Sequence, residues 1–226
     1  IMPSLVGSEM CIRDRYTTPT ELAKLLVRLT VKNWSDTILD CCCGTGTIPK
    51  EAIQIKKTQM TAKEAVETVW ACDKNNYPLQ VANISMTEPD TINIANRLFQ
   101  HNALTLSIGE KITITNPETG GNMILALPAF GAVVSNLPFV PFEIIPADDK
   151  DEISKMPFVD ILDGRSDLYC YIATKIADVI KPEGTLGIIV SNSWLGTNAG
   201  IKLMEALKQE YNIKQVHISG QGRWFK

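Results

Sequence analysis

Residues 36–57, DTILDCCCGTGTIPKEAIQIKK, join in order a short apolar run ending in an acid, a Gly-x-Gly turn and a helix-forming stretch. Glycine takes positive φ at little steric cost, so Gly44 and Gly46 permit a turn tight enough for a strand and a helix to pack side by side. Similar alternation recurs along the chain. TVWACD (68–73) precedes YPLQVANISM (77–86), AVVSN (132–136) precedes DLYCYIATKIADVI (167–180), and TLGIIVSNS (185–193) precedes AGIKLMEALKQEY (199–211). Strands alternating with helices predict an α/β fold, a doubly wound and mostly parallel sheet whose ligands sit at the carboxyl ends of the strands.

Other elements fill in around this frame. TTPTELAKLLVRLTV opens a helix, with Thr18 as N-cap, Pro19 at N1 and Glu21 at N3 forming a capping box. Leu22, Leu25, Leu26 and Leu29 then share one helical face. RLFQHNAL (97–104) reads as a strand, and KITITNPETGGNM (111–123) as a hairpin turning at ETGGN. Residues 143–166 read as polar and irregular, with an acidic cluster at Asp148, Asp149, Asp151 and Glu152. KPEG ends the helix after 167, and IKQVHIS (213–219) reads as the last strand.

Composition excludes several classes. No apolar run reaches the roughly 20 residues of a membrane-spanning helix. The six cysteines include three in a row and no Cys-x-x-Cys pair, and His101 and His217 are the only histidines. That pattern argues against a zinc site, so no metal is expected; it favours free thiols in a reducing, cytoplasmic setting. Both histidines lie in or beside strand patterns and read as structural. The net charge of −3 does not advertise contact with phosphates.

Three places could carry chemistry. In LDCCCGTG, Asp40 stands at a strand end before the glycine turn, where backbone can approach a ligand. No Gly-Lys-Ser/Thr follows, so it is not a P-loop, and a plain strand–turn–helix corner is the alternative. Asp73 ends the next strand and can accept both hydroxyls of a ribose, or cap a helix. In VVSNLPF, Asn136, Pro138 and Phe139 end a buried strand with an amide, a rigid turn and a ring, or make an ordinary turn.

Taken in order, YTTPTELAKLL, LDCCCGTG, ACDKN, HNAL, VVSNLPF and KPEGTLGIIVSNSWL resemble the amino-methylating, adenine-specific DNA methyltransferases that use S-adenosylmethionine, in the arrangement where the Thr-Pro motif comes first. The resemblance covers essentially all of 16–226 and implies a Rossmann-like, class I methyltransferase fold. It implies that Tyr16, Thr18 and Pro19 line the methionine end of the cofactor, that Asp40, Gly44 and Gly46 hold its amino-acid moiety, and that Asp73 holds its ribose. Asn102 stands where the family usually has an aspartate facing the cofactor's adenine. Asn136, Leu137, Pro138 and Phe139 match the catalytic Asn/Asp-Pro-Pro-aromatic motif. Besides Asn102, two positions depart from the family: Cys41 replaces a proline of the first motif, and Leu137 replaces the first proline of the second.

The implied chemistry is direct methyl transfer to a flipped-out adenine. Its exocyclic amine would be gripped by the Asn136 side-chain oxygen and the Leu137 carbonyl, with Phe139 stacking on the base. Trp224 and Phe225 fall where such enzymes often place a second aromatic against the flipped base, or are core or edge aromatics. No Pro-Cys motif sits at the fourth strand, which excludes cysteine-mediated cytosine C5 methylation. Leu137 also resembles the Asn-Leu-Pro-aromatic form of ribosomal RNA adenine dimethylases, so RNA adenine, or a protein glutamine amide, is the alternative substrate. A non-catalytic scaffold subunit is a third reading.

The restriction–modification setting implies DNA as a partner, and a specificity or nuclease subunit beside it. Given the acidic balance, the target-recognition region is expected beyond Lys226 or on another chain, with 16–226 an incomplete catalytic domain. Residues 1–15 are set apart: SLVGSEMCIRDR resembles a translated sequencing adapter.

Overall fold

The computed structural model describes residues 17–162 and 165–219. Tyr16, the 1–15 segment, Trp224 and Phe225 lie outside them. Five strands, β1 (Ile38–Asp40), β2 (Val69–Asp73), β3 (Arg97–Gln100), β6 (Phe130–Asn136) and β7 (Ile180–Ile189), form a parallel sheet in the order β3-β2-β1-β6-β7. The chain runs outward from β1 to β3, then returns to β1's other side at β6. The strand order therefore reverses between β1 and β6, and in sheets of this kind ligands bind at the carboxyl ends beside such a switch point. β4 (Lys111–Thr115) and β5 (Asn122–Ala126) form the expected hairpin, turning through 116–121.

The central strands β1, β2 and β6 are buried because both faces are covered, whereas the edge strands β3 and β7 are only partly so. Alternate residues of β1 and β6 serve opposite layers. Leu39 and Val133 join one core with α6 (Leu168–Lys175) and Leu203 of α7 (Asn198–Glu210). Ile38, Ala132 and Val134 join the other with α1 (Thr20–Thr30), α2 (Thr47–Lys56), α3 (Ala62–Glu67) and α4 (Asn76–Met86). The strand–turn–helix units expected at β1, β2 and β6–α6 are present. No helix among the described residues is long and apolar enough to cross a membrane.

Several local expectations fail for identifiable reasons. The N-cap of α1 is Pro19, not Thr18, and no side chain caps this helix. Nor is its leucine face the buried one. Ala23, Val27 and Thr30 face inward while Leu25 and Leu29 are about half exposed. The helix lies so close to β7 that a Cβ on Gly187 would overlap Thr30, which leaves room only for small or branched side chains at the contact.

Residues 143–166 contain a helix, α5 (Ala147–Ser154), with Asp148 and Asp149 in its first turn, where the helix dipole favours acids. KPEG lies inside β7, not before it. Ile180 pairs with Phe130 and Thr185 with Ala132, so Lys181–Gly184 bulge out, with Glu183 at φ 64. Finally, 213–219 form no strand. Val216 and Ile218 are exposed, and no neighbouring edge receives their alternating pattern.

Candidate active site

Asp40 is the last residue of β1, buried between β2 and β6. Its Oδ1 accepts the Ser135 hydroxyl at 2.7 Å and the Cys42 N–H at 3.3 Å. Burial lifts its carboxyl from the ordinary 3.8 to about 7; the two hydrogen bonds restrain that rise, and the nearby Asp73 charge adds to it. A buried carboxyl poised near neutrality at a strand end is suited to a cationic partner.

The turn after Asp40 is built by its glycines. Gly44 (φ 51) and Gly46 (φ 85) are both left-handed. A Cβ on Gly46 would come within 2.9 Å of the Ala82 Cβ, so glycine there lets α2 start against α4. A Cβ on Gly44 would meet nothing within 4 Å. The turn thus presents bare backbone to open space, a cradle that a ligand can approach. Cys41, Cys42, Cys43, Cys72 and Cys170 are free thiols. Burial raises the Cys43 and Cys72 thiols, which makes them inert rather than nucleophilic.

Asp73, at the end of β2, braces this turn. One carboxylate oxygen accepts the Gly44 N–H at 3.1 Å, the other the Asn75 N–H at 2.8 Å. Burial raises its pKa against those bonds. Each oxygen retains a second lone pair for a hydroxyl. Asn102, beyond β3, is engaged at both ends of its amide. Its Oδ1 accepts the Leu104 N–H at 3.1 Å and its Nδ2 donates to Asp149 at 2.7 Å. Asp149, 3% exposed, also receives Lys74, which binds Asp148 as well. Two members of the acidic cluster therefore turn toward the ends of β2 and β3.

Asn136 ends β6, one strand from Asp40. Its Nδ2 donates to the Thr18 Oγ1 at 3.1 Å, joining residues 118 apart in sequence. Its Oδ1 is buried and accepts nothing from the described residues. An orphaned acceptor of this kind costs about 1–3 kcal/mol. The Leu137 N–H donates to the Ile189 carbonyl at 3.1 Å. Leucine rather than proline at 137 thus extends the ladder between β6 and β7 by one bond. Phe139 meets Tyr169 edge-on, centroids 6.5 Å apart, and the Val140 carbonyl accepts the Leu168 N–H, tying the loop to α6.

The structure therefore gathers Thr18, Asp40, Gly44, Asp73, Asn102 and Asn136 along the carboxyl rim of one sheet. Sequence reasoning missed Ser135, Lys74 and Asp149. Ser135 precedes Asn136 on the opposite face of an apolar strand, where a polar residue is itself a signal. Asp149 is one acid among four, and nothing in its neighbours distinguishes it. His101 is placed structurally, its ring nitrogens 2.8 Å from Glu110 and 2.9 Å from the Asn102 carbonyl.

A parallel sheet in this order, with an acid and a glycine turn after β1 and an acid after β2, is the class I methyltransferase fold. Within that class the chain belongs to the Eco57I restriction-modification methylase family, which it matches over residues 21–225. It is 28% identical to the type II methyltransferase M.BanIII of Aneurinibacillus aneurinilyticus over 98% of its own length, but spans 38% of that relative. A modification subunit of a putative type I restriction enzyme from Vibrio vulnificus is similar in fold, with a TM-score of 0.59 and 15% identity over 88% of this chain and 39% of that one. The type IIL restriction-modification enzyme MmeI, solved with DNA, gives a TM-score of 0.56 and 13% identity over 84% of this chain and 29% of its own.

Proposed function

We propose that this chain is the catalytic part of an enzyme that methylates the exocyclic N6 of a flipped-out adenine in DNA, as the modification arm of a cytoplasmic restriction–modification system. The observation that carries this reading is the orphaned Asn136 Oδ1 at the rim shared with Asp40 and Gly44. A buried acceptor without a donor fits an incoming amine. The match to a restriction-modification methylase family favours DNA. Leu137 has a structural use in its bond to Ile189, so its presence does not favour RNA.

The residues fit S-adenosylmethionine, and the cradle that Gly44 leaves open is the observation that tests this. Asp40 would hold the cofactor's ammonium, the backbone at Gly44 and Gly46 its amino-acid end, and Asp73 its ribose hydroxyls. Thr18, Pro19 and Tyr16 would line the methionine end. Asn102 would present the Asp149 carboxylate to the adenine ring. The cofactor supplies an electrophilic methyl carbon on a sulfonium.

Adenine's amine is a weak nucleophile because its lone pair is delocalised into the ring. Asn136 Oδ1 and the Leu137 carbonyl would each accept one N–H, turning the lone pair toward the methyl and stabilising the positive charge that grows on nitrogen. So held, N6 would take the methyl group that the cofactor supplies, with the sulfonium sulfur as leaving group, and its surplus proton would pass to solvent. Phe139 would stack on the extruded base, as a paired base cannot reach these acceptors. Identification of the methylated nucleoside in DNA treated with the full-length protein and S-adenosylmethionine tests the reading. N6-methyladenine is expected; N4-methylcytosine, or methylation confined to RNA or protein, would overturn it.

A further inference from the structure

Asparagine's carboxamide is nearly symmetrical in shape but opposite in chemistry at its two ends. Only the oxygen can accept an amine proton, so an Asn136 turned by half a revolution would present donors to a donor. Something must choose the end. The structure assigns that choice to Thr18: we infer that Thr18 is a positioning residue whose hydroxyl fixes the amide orientation of Asn136 and so leaves Oδ1 facing the substrate amine. This rests on the proposed role of Asn136.

Three observations carry the inference. Thr18 is buried, and its hydroxyl receives Asn136 Nδ2 at 3.1 Å. In the reverse orientation the hydroxyl could donate to Oδ1, but Nδ2 would then stand at the buried position Oδ1 now holds, with neither of its N–H groups accepted by Thr18. Lastly, Thr18 lies one residue before the N-cap Pro19, and α1 has no side-chain cap. Its hydroxyl is therefore not engaged in capping the helix and is left for the contact across the fold.

The test uses the full-length protein with Thr18→Val, which keeps shape and removes the hydroxyl, and Thr18→Ser, which keeps the hydroxyl. Thr18→Val is expected to lower kcat by about 10- to 100-fold at cofactor concentrations that saturate the variant, where any change in its Kd for S-adenosylmethionine no longer affects the rate, with Tm close to wild type. Thr18→Ser should retain activity within a few-fold. In an Asn136→Asp background the two side-chain oxygens are equivalent, and Thr18→Val should lose most of its effect.

A raised Kd with unchanged kcat would make Thr18 a cofactor ligand only. Equal damage from serine and valine would make it a packing residue, and equal losses in both backgrounds would remove the orienting role; each overturns the inference. NMR of the 15N-labelled Asn136 side-chain amide, without substrate, gives an independent readout. Its resonances should shift on Thr18→Val and not on Thr18→Ser. A response there in a protein that methylates no adenine would leave the orientation standing and remove the functional reading. An unresponsive amide in an active enzyme would do the opposite.

Discussion

If Asp40 holds the cofactor's ammonium as proposed, it couples the stability of the cofactor-free protein to its affinity for cofactor, and the coupling has a sign and a size. Burial raises its carboxyl from 3.8 to about 7, which at ~1.4 kcal/mol per pH unit amounts to about 4 kcal/mol. A raised carboxyl means that the folded state holds its proton more tightly than the unfolded chain. Asp40's contribution is therefore fully present below pH 3.8, falls as pH rises, and levels off above about 7.

Asp40→Asn removes the ionisation while its side-chain oxygen can still accept from Ser135 and Cys42. Allowing for the new buried amide, the variant should be more stable than the parent by about 1–3 kcal/mol at pH 8, and no more stable at pH 4. Cofactor affinity should move the other way. If only the ionised carboxylate binds the ammonium, the parent's Kd should be about tenfold weaker at pH 6 than at pH 8, and Asp40→Asn should bind weakly at both. Denaturant unfolding of the cofactor-free protein across pH 4–8, with calorimetric titration of S-adenosylmethionine at pH 6 and 8, measures both. A variant less stable than the parent at pH 8, or one that binds cofactor normally, would refute the reasoning.

Asp149→Asn keeps a hydrogen-bonding group beside Asn102 and Lys74 but removes the charge. It should weaken cofactor binding by about tenfold, with kcat retained at saturation; an unchanged Kd in calorimetry would confine Asp149 to holding α5. Gly46→Ala places a Cβ 2.9 Å from Ala82 at a φ of 85. Loss of about 2 kcal/mol or more is expected by denaturant titration, and a smaller loss would show that α2 and α4 can part without cost.

The sequence carried the frame because the frame is local. The apolar run 38–40, the glycines at 44 and 46 and the helix beginning at Thr47 lie within a few residues of one another, and each constrains the next. Asn136 was legible for the same reason, standing at the end of an apolar strand before a proline. The shortfall lies where distant segments meet. Thr18 pairs with Asn136 across 118 residues, and Asn102 with Asp149 across 47.

Neither pairing leaves a periodic trace. The helix at 147–154 buries only Asp149 and Ile153, too little for a hydrophobic period to show. The short helix at 62–67 had a readable signal, since Thr61 and Glu64 form a capping box that the structure contains. The leucines of α1 misled because the helix touches the sheet through its small residues, a matter of close approach rather than hydrophobicity.

The central claim is that Asn136 Oδ1 receives the amine that is methylated. Single-turnover methyl transfer by Asn136→Ala in the full-length protein, at saturating S-adenosylmethionine and with the DNA the wild type modifies, tests it most directly. The account predicts a rate lower by about 10²- to 10³-fold, the usual cost of removing one transition-state hydrogen bond, with cofactor affinity unchanged. A variant that transfers methyl groups to adenine within a few-fold of the wild-type rate would contradict it.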